Sequence, residues 1–214
     1  MSDALLNDIK TALYKGDRVG VASLTKTALD SGLAIKKILE DGLIAGMNAI
    51  GVRFKNNEIF IPEVLISAKA MHAGMAILEP HFTASGIKPV GRVVIGTVKG
   101  DLHDIGKNIV SMMLKGACFQ IDDFGIDVPP QKFVDAAKSA NVDIIALSSL
   151  LTTSMGGMRD TIKLLEAAGL RKKVKVMVGG APVTQEFASS IGADAYAKDA
   201  ATAVDKAKEL LKNR

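Results

Sequence analysis

The chain has 214 residues, enough for one large or two small domains; 48% are hydrophobic, only 4% are aromatic and none is tryptophan. Cores built from Ala, Val, Ile, Leu and nine Met suit helices and parallel α/β structure better than an aromatic-rich β-sandwich. The formal charge of +4 comes from scattered Lys and Arg without the basic stripe of a nucleic-acid binder, so a solvated surface and no nucleic-acid partner are expected.

Residues 1–84 read as helix after helix. DALLNDIKTALYKG places Leu5, Leu6, Ile9, Ala12 and Leu13 on one face and stops at Gly16, after which Asp17 has the position of an N-cap for RVGVASLTKTALDSG. AIKKILEDGLIAGMNAIGVRF carries Ile38, Leu39, Leu43, Met47 and Ile50 at helical spacing. Pro62 then opens a fourth helix, EVLISAKAMHAGMAILEP. Four helices of this length predict an antiparallel four-helix bundle.

After TASGIKPVG the period changes. Strands are predicted at Val93–Val98, Phe119–Phe124, Ile144–Ser148, Val174–Val178 and Ala195–Ala197. Helices are predicted at Ile105–Gly116, Gln131–Ala140, Met155–Ala168, Gln185–Ser190 and Ala201–Lys212. Five β–α units with two-sided apolar strands predict a doubly wound, flavodoxin-like (Rossmann-type) five-stranded parallel sheet at 92–214, joined to the helical half by a linker at 85–91. A hinge is expected at 84–91. Cys118 is the only cysteine, which excludes an internal disulfide or a thiolate metal cluster. The amphipathic, acid-bearing start is unlike a signal peptide, and no apolar run approaches a membrane span. A soluble protein of a reducing cytoplasm, without a membrane partner, is expected.

Ligands of such sheets bind beyond the carboxyl ends of the strands, where the strand order reverses. The loops concerned are 97–104, 125–130, 148–154 and 179–184. The first holds His103, one of three histidines, between Asp101 and Asp104. Zinc is disfavoured because His72 and His81 lie in the helical half with no ligand spacing. No GxSxG elbow accompanies Ser148, Ser149 or Ser154, and GTVKGDLHDIG has neither Walker nor GxGxxG spacing. One imidazole can serve as the single axial ligand of a metal inside a cofactor, with a carboxylate holding its other nitrogen. Spacing alone does not choose between Asp101 and Asp104.

DLHDIG reproduces the DxHxxG motif of cobalamin-binding domains, with Asp101, His103 and Gly106. Residues 107–147, 41 in number, separate it from Ser148-Ser149-Leu150, which supplies the SxL element; residues 151–178, 28 in number, then lead to Gly179-Gly180. GVRFKNNEIFIPEVLISAKAMHAGMAILEP resembles the four-helix cap that precedes the corrinoid module of cobalamin-dependent methionine synthase. Stand-alone corrinoid proteins of methyltransferase systems for methanol, methylamines, betaines and methoxyaromatics share that cap. The resemblance covers nearly the whole chain.

This resemblance implies a bound cobalamin (methylcobalamin, cob(I)alamin or a related corrinoid) whose dimethylbenzimidazole has swung off cobalt, leaving His103 as the metal ligand. It chooses Asp101 to hold the imidazole and places Ser154 on that aspartate, so His103, Asp101 and Ser154 form the catalytic set. Gly100, Gly179 and Gly180 would let backbone approach the nucleotide tail. Ser148 would contact the buried base, Leu150 and Thr152 would line the cavity and corrin edge, and Asp104 and Gly106 belong to the same cofactor loop. Phe54, Ile61 and Val64 fall where the cap of the family covers the methyl-bearing face; for Ile61 and Val64, bundle core is the competing reading. The implied function is methyl carriage rather than complete catalysis. One methyltransferase loads the corrinoid from a small substrate, a second passes the methyl to a thiol or tetrahydropterin, and a reductive activase serves both. The alternative is a cobalamin-dependent sensor, but no recognition helix is left over for DNA. An adenosylcobalamin mutase subunit would lack this cap, and in an unrelated flavodoxin-like protein His103 would be incidental.

Overall fold

The computed structural model describes residues 2–82, 88–139 and 141–212. Residues 84–87 of the expected hinge, and Ala140, lie outside the described residues. The chain divides into two compact units, 1–89 with 116–118 and 90–115 with 119–214.

In the first unit, helix α1 (Ser2–Tyr14) buries Leu6, Ile9, Ala12 and Leu13. The chain turns at Gly16, where φ is +66°, and the Asp17 side chain accepts the Gly20 N–H at 2.8 Å to cap α2 (Arg18–Asp30). Such a cap contributes about 1 kcal/mol. The third helix, α3, runs over residues 35–55 in three stretches: α-helical Ile35–Lys37, π-helical Ile38–Ile44 and α-helical Ala45–Lys55. All five apolar residues singled out in it are buried. The π-helical stretch is a departure from the single α-helix expected. It contains Gly42, which together with Gly46 lets α1 approach closely: a Cβ at Gly46 would stand 2.6 Å from Leu13 Cδ1. Helix α4 (Ile61–Leu78) has Pro62 in its first turn, and the Glu63 side chain accepts the Phe60 N–H at 3.1 Å. A 3-10 turn, Glu79–His81, extends it. The 21 residues Ile61–His81 are long and apolar enough to cross a membrane, which corrects the expectation that no run comes near that length. Val64, Ala68, Met71, Met75 and Leu78 are nonetheless buried, as in the core helix of a bundle.

The second unit is a five-stranded parallel sheet in the order β2-β1-β3-β4-β5. Its elements are β1 (Arg92–Thr97), α5 (Ile105–Gly116), β2 (Gln120–Asp123), α6 (Pro130–Ser139), β3 (Ile144–Ser148), α7 (Gly156–Ala167), β4 (Lys175–Gly179), α8 (Gln185–Ser190), β5 (Ala195–Ala197) and α9 (Ala200–Lys212). The expected doubly wound sheet is therefore present. Central strands β1, β3 and β4 are buried along nearly their whole length, as helices on both faces require. Edge strand β2 is two residues shorter than predicted and half exposed. Val98, expected at the end of β1, instead forms an isolated bridge to Val128. Thr97, Ser148, Gly179 and Ala197 stand side by side at the carboxyl end of the sheet. From there β1 connects toward β2 on one side and β3 toward β4 on the other. The strand order thus reverses between β1 and β3, the position beyond which ligands of such sheets bind.

Candidate cofactor site

Asp101, in the loop after β1, is fully buried. Its Oδ1 accepts the main-chain N–H of His103 at 3.0 Å and faces His103 Nδ1 at 2.8 Å. Its Oδ2 accepts the N–H groups of Leu150 (2.7 Å) and Leu151 (3.2 Å) and the Ser154 hydroxyl (2.8 Å), all from the loop after β3. Burial by itself raises the pKa of this carboxyl. The bonds from the His103 and Leu150 amides, the imidazole and the Ser154 hydroxyl outweigh it and hold the group well below the usual carboxylate range.

An ionised carboxylate can only accept, so His103 Nδ1 carries a proton, and in the neutral ring Nε2 keeps the lone pair. The His103 carbonyl is itself fixed, accepting the buried Thr97 hydroxyl at 2.8 Å. The His103 side chain is about half exposed, at 52%. A basic nitrogen, oriented from behind and open to solvent, is what a metal ligand requires.

Behind Ser154 lies Ser149, fully buried, with the two hydroxyls 2.7 Å apart. A hydrogen-bonded chain of Ser149, Ser154, Asp101 and His103 thus runs from buried hydroxyls to the half-exposed imidazole. In the sequence Ser149 is only a nucleophile candidate and the middle residue of the SxL element; its place behind Ser154 depends on the loop after β3 and leaves no local signal. Gly180 abuts the same residue. With φ at +130°, a Cβ there would fall 1.8 Å from the Ser149 carbonyl oxygen, while one on Gly179 would fall 2.8 Å from that of Ala197. Both glycines are therefore demanded by backbone within the chain itself, a reason additional to the tail contact expected of them.

Of the other expected residues, Gly100 occupies the left-handed region at φ +82° in the histidine loop. Asp104 turns away from the imidazole: its carbonyl accepts the Asn108 N–H at the start of α5, and its side chain accepts the Asn108 amide at 3.0 Å. Ser148 ends β3, half-buried, and Leu150 and Thr152 are exposed on the next loop. Phe54, Ile61 and Val64 belong to the helical unit. Phe54 is half-buried and Ile61 exposed. Val64 is 1% exposed, as the competing bundle-core reading has it.

The surroundings of His103 fit a large, flat, partly apolar cofactor. Leu102, Ile105, Ile126, Leu150 and Leu151 are all exposed, and each lies on a segment of this cluster. Exposed apolar side chains grouped around a polar centre mark a ligand surface. Gly106 adds to this: a Cβ there would meet nothing within 4 Å, yet glycine in a helix is less stable than alanine by about 1 kcal/mol. Nothing within the described chain therefore requires glycine at 106.

A doubly wound sheet with an anchored imidazole at its switch point, in a chain that also forms a helical unit, defines a cofactor-binding protein. Residues 91–205 match the B12 binding domain family, and residues 5–79 match a second family of the same description. Dimethylamine corrinoid protein 3 of Methanosarcina acetivorans is 52% identical over 209 residues, covering 98% of each chain. A crystallised cobalamin-binding protein from Desulfitobacterium hafniense superposes with a TM-score of 0.82 at 33% identity, over 96% of this chain and 98% of its own. A chain of the methanol:cobalamin methyltransferase complex of Methanosarcina barkeri gives a TM-score of 0.87 at 29% identity, over 99% and 81%. The chain belongs to the B12-binding corrinoid proteins of methyltransferase systems. Its cofactor is a corrinoid.

Proposed function

We propose that this protein carries a methyl group between two methyltransferases, holding cobalamin with the benzimidazole displaced and His103 as the lower ligand of cobalt. The observation that carries this reading is the chain Ser149–Ser154–Asp101–His103, which ends on a half-exposed imidazole with Nε2 free to donate. When bound, the cofactor supplies a cobalt centre that accepts a methyl cation and gives it up. The residues of the chain do the rest. Asp101 fixes the tautomer and orientation of the imidazole, and its charge raises the basicity of Nε2. Ser154 and Ser149 hold protons in a line behind it, so a proton can be accommodated when the ligand bond loosens. Leu102, Ile105, Leu150 and Leu151 exclude water from one face of the site.

Relatives named as dimethylamine corrinoid proteins, 48 to 53% identical, support a dimethylamine-specific methyltransferase as the donor-side partner. A thiol- or tetrahydropterin-directed methyltransferase would take the methyl onward, and a reductive activase would restore the cofactor, all in the cytoplasm. Phe54 and Ile61 are proposed to shield the methyl-bearing face.

The test is spectroscopic. Cobalamin added to the purified protein should give a base-off, histidine-ligated absorbance, and the reduced cob(II) form should show one axial nitrogen by electron paramagnetic resonance. Both signatures should vanish in His103→Ala while cobalamin remains bound. Retention of the histidine signature in that variant would end the ligand assignment. Methylation by a dimethylamine-specific methyltransferase, set against a methanol-specific one, tests the donor.

A further inference from the structure

Asp127 is the residue that the site described above does not use. It lies in DFGIDVPP, the loop between β2 and α6, and is one of three described non-glycine residues with positive φ, at +51°. Left-handed backbone costs an L-residue about 1–2 kcal/mol, least for Asp and Asn, so its retention calls for a compensating contact. Two such contacts are present, and both fall on the histidine loop. Gly100 donates its N–H to Asp127 Oδ1 at 2.7 Å, and the Asp127 N–H donates to the Asp101 carbonyl at 3.1 Å. Flanking bonds tie the same two loops: Thr97 N–H to the Gly125 carbonyl and Val128 N–H to the Thr97 carbonyl, each 2.9 Å. Asp127 thus grips the Gly100–Asp101 dipeptide at its first N–H and its last carbonyl, from a loop 26 residues beyond Asp101 in the sequence.

We infer that Asp127 is a positioning residue: it sets the backbone of Asp101 so that one carboxylate meets the imidazole on one side and the Leu150–Ser154 loop on the other. The physical reason is the angular demand on that carboxylate. Oδ1 must receive two donors from His103 and Oδ2 four from the residues after β3, the Ser149 hydroxyl at 3.5 Å being the longest, which leaves Asp101 little freedom to rotate. Gly100, with φ at +82° and no side chain to hold it, is the flexible link before Asp101, and the Asp127 side chain restrains it there. The consequence for cobalt rests on the His103 reading proposed above.

Three variants separate a clamp from a merely structural turn residue. Asp127→Asn keeps an Oδ1 acceptor and a tolerance for left-handed φ, and should behave as the parent. Asp127→Gly relieves the backbone strain but removes the acceptor. Asp127→Ala removes the acceptor and keeps the strain. In the cofactor-free protein, amide hydrogen exchange at His103 and Leu150, which both donate to the Asp101 carboxylate and neither of which touches Asp127, should speed up at least about fivefold in the Gly and Ala variants. In the cobalamin-loaded protein, the ratio of histidine-ligated to unligated cobalt should fall by a similar factor, with Asn restoring it. Parent-like exchange at His103 and Leu150 in Asp127→Gly overturns the clamp, whatever the cofactor does. Faster exchange with unaltered cobalt ligation also overturns the inference in its bearing on the histidine. A parent that shows no axial nitrogen when loaded would instead refute the His103 reading, leaving the exchange result to decide the clamp.

Discussion

His103 Nδ1 stands 2.8 Å from Asp101 Oδ1, and the same oxygen takes the main-chain N–H of His103. Ring and backbone of one residue converge on one oxygen of another two positions away. That double contact makes the orientation of the imidazole a property of the loop rather than of a free rotamer.

Asp101→Asn should therefore act through the tautomer. Either end of the amide that carries NH2 faces donors only, His103 on one side or Leu150, Leu151 and Ser154 on the other. If NH2 turns to the ring, Nδ1 must accept and the proton moves to Nε2, which can no longer bind a metal. The expected outcome is retained cobalamin, loss of the axial-nitrogen signal and a changed reduction midpoint. Nitrogen-15 spectra of the cofactor-free imidazole check the tautomer directly, and an unchanged midpoint would contradict the prediction.

The two serines should differ. Ser154→Ala removes a donor 2.8 Å from Asp101 Oδ2, whereas Ser149→Ala leaves that donor in place and removes a hydroxyl that reaches the same oxygen only at 3.5 Å. Each should lower unfolding free energy by about 1 kcal/mol. Only Ser154→Ala should also shift the balance of histidine-ligated cobalamin, measured by absorbance titration. Equal effects on ligation would show that the hydroxyl chain acts as one unit.

Gly106→Ala should pull stability and affinity in opposite directions. The added methyl meets open space and improves helix propensity, so thermal unfolding should rise, by up to about 1 kcal/mol of stability. Cobalamin affinity, by fluorescence or equilibrium dialysis, should fall because the methyl intrudes on the ligand surface. Unaltered affinity would remove Gly106 from the binding face.

Gly180→Ala should damage the fold and the site together. A Cβ 1.8 Å from the Ser149 carbonyl cannot be accommodated without moving the loop after β3. We expect a loss of about 2–4 kcal/mol in urea unfolding. Amides of Leu150 and Leu151 should lose protection at the same time, since they depend on that loop.

Helix periodicity, strand runs and the switch-point loops were legible along the chain because each is a local pattern of apolar spacing and punctuation. Even there, the π-helical stretch at Ile38–Ile44 escaped, because one apolar stripe satisfies either helix over seven residues. The histidine loop could be located but not resolved: Asp101 and Asp104 lie two and one residues from His103, and only the likeness of DLHDIG to a known motif separated them. The fold supplies the reason. Gly100 turns the chain so that Asp101 points inward toward donors some fifty positions away, while Asp104 turns to Asn108 within its own helix.

The order of elements, the doubly wound sheet and the position of the DLHDIG loop at its carboxyl edge were determined by sequence alone, since period and motif survive in one dimension. Tertiary structure decided which groups face one another: Ser149 behind Ser154, Asp127 on the Gly100–Asp101 peptide, and Val64 inside the bundle instead of on its surface. Those relations depend on loop dihedrals, and the bonds that Asp127 and the serine loop make to the histidine loop join residues 26 to 53 apart, for which no local spacing carries a signal.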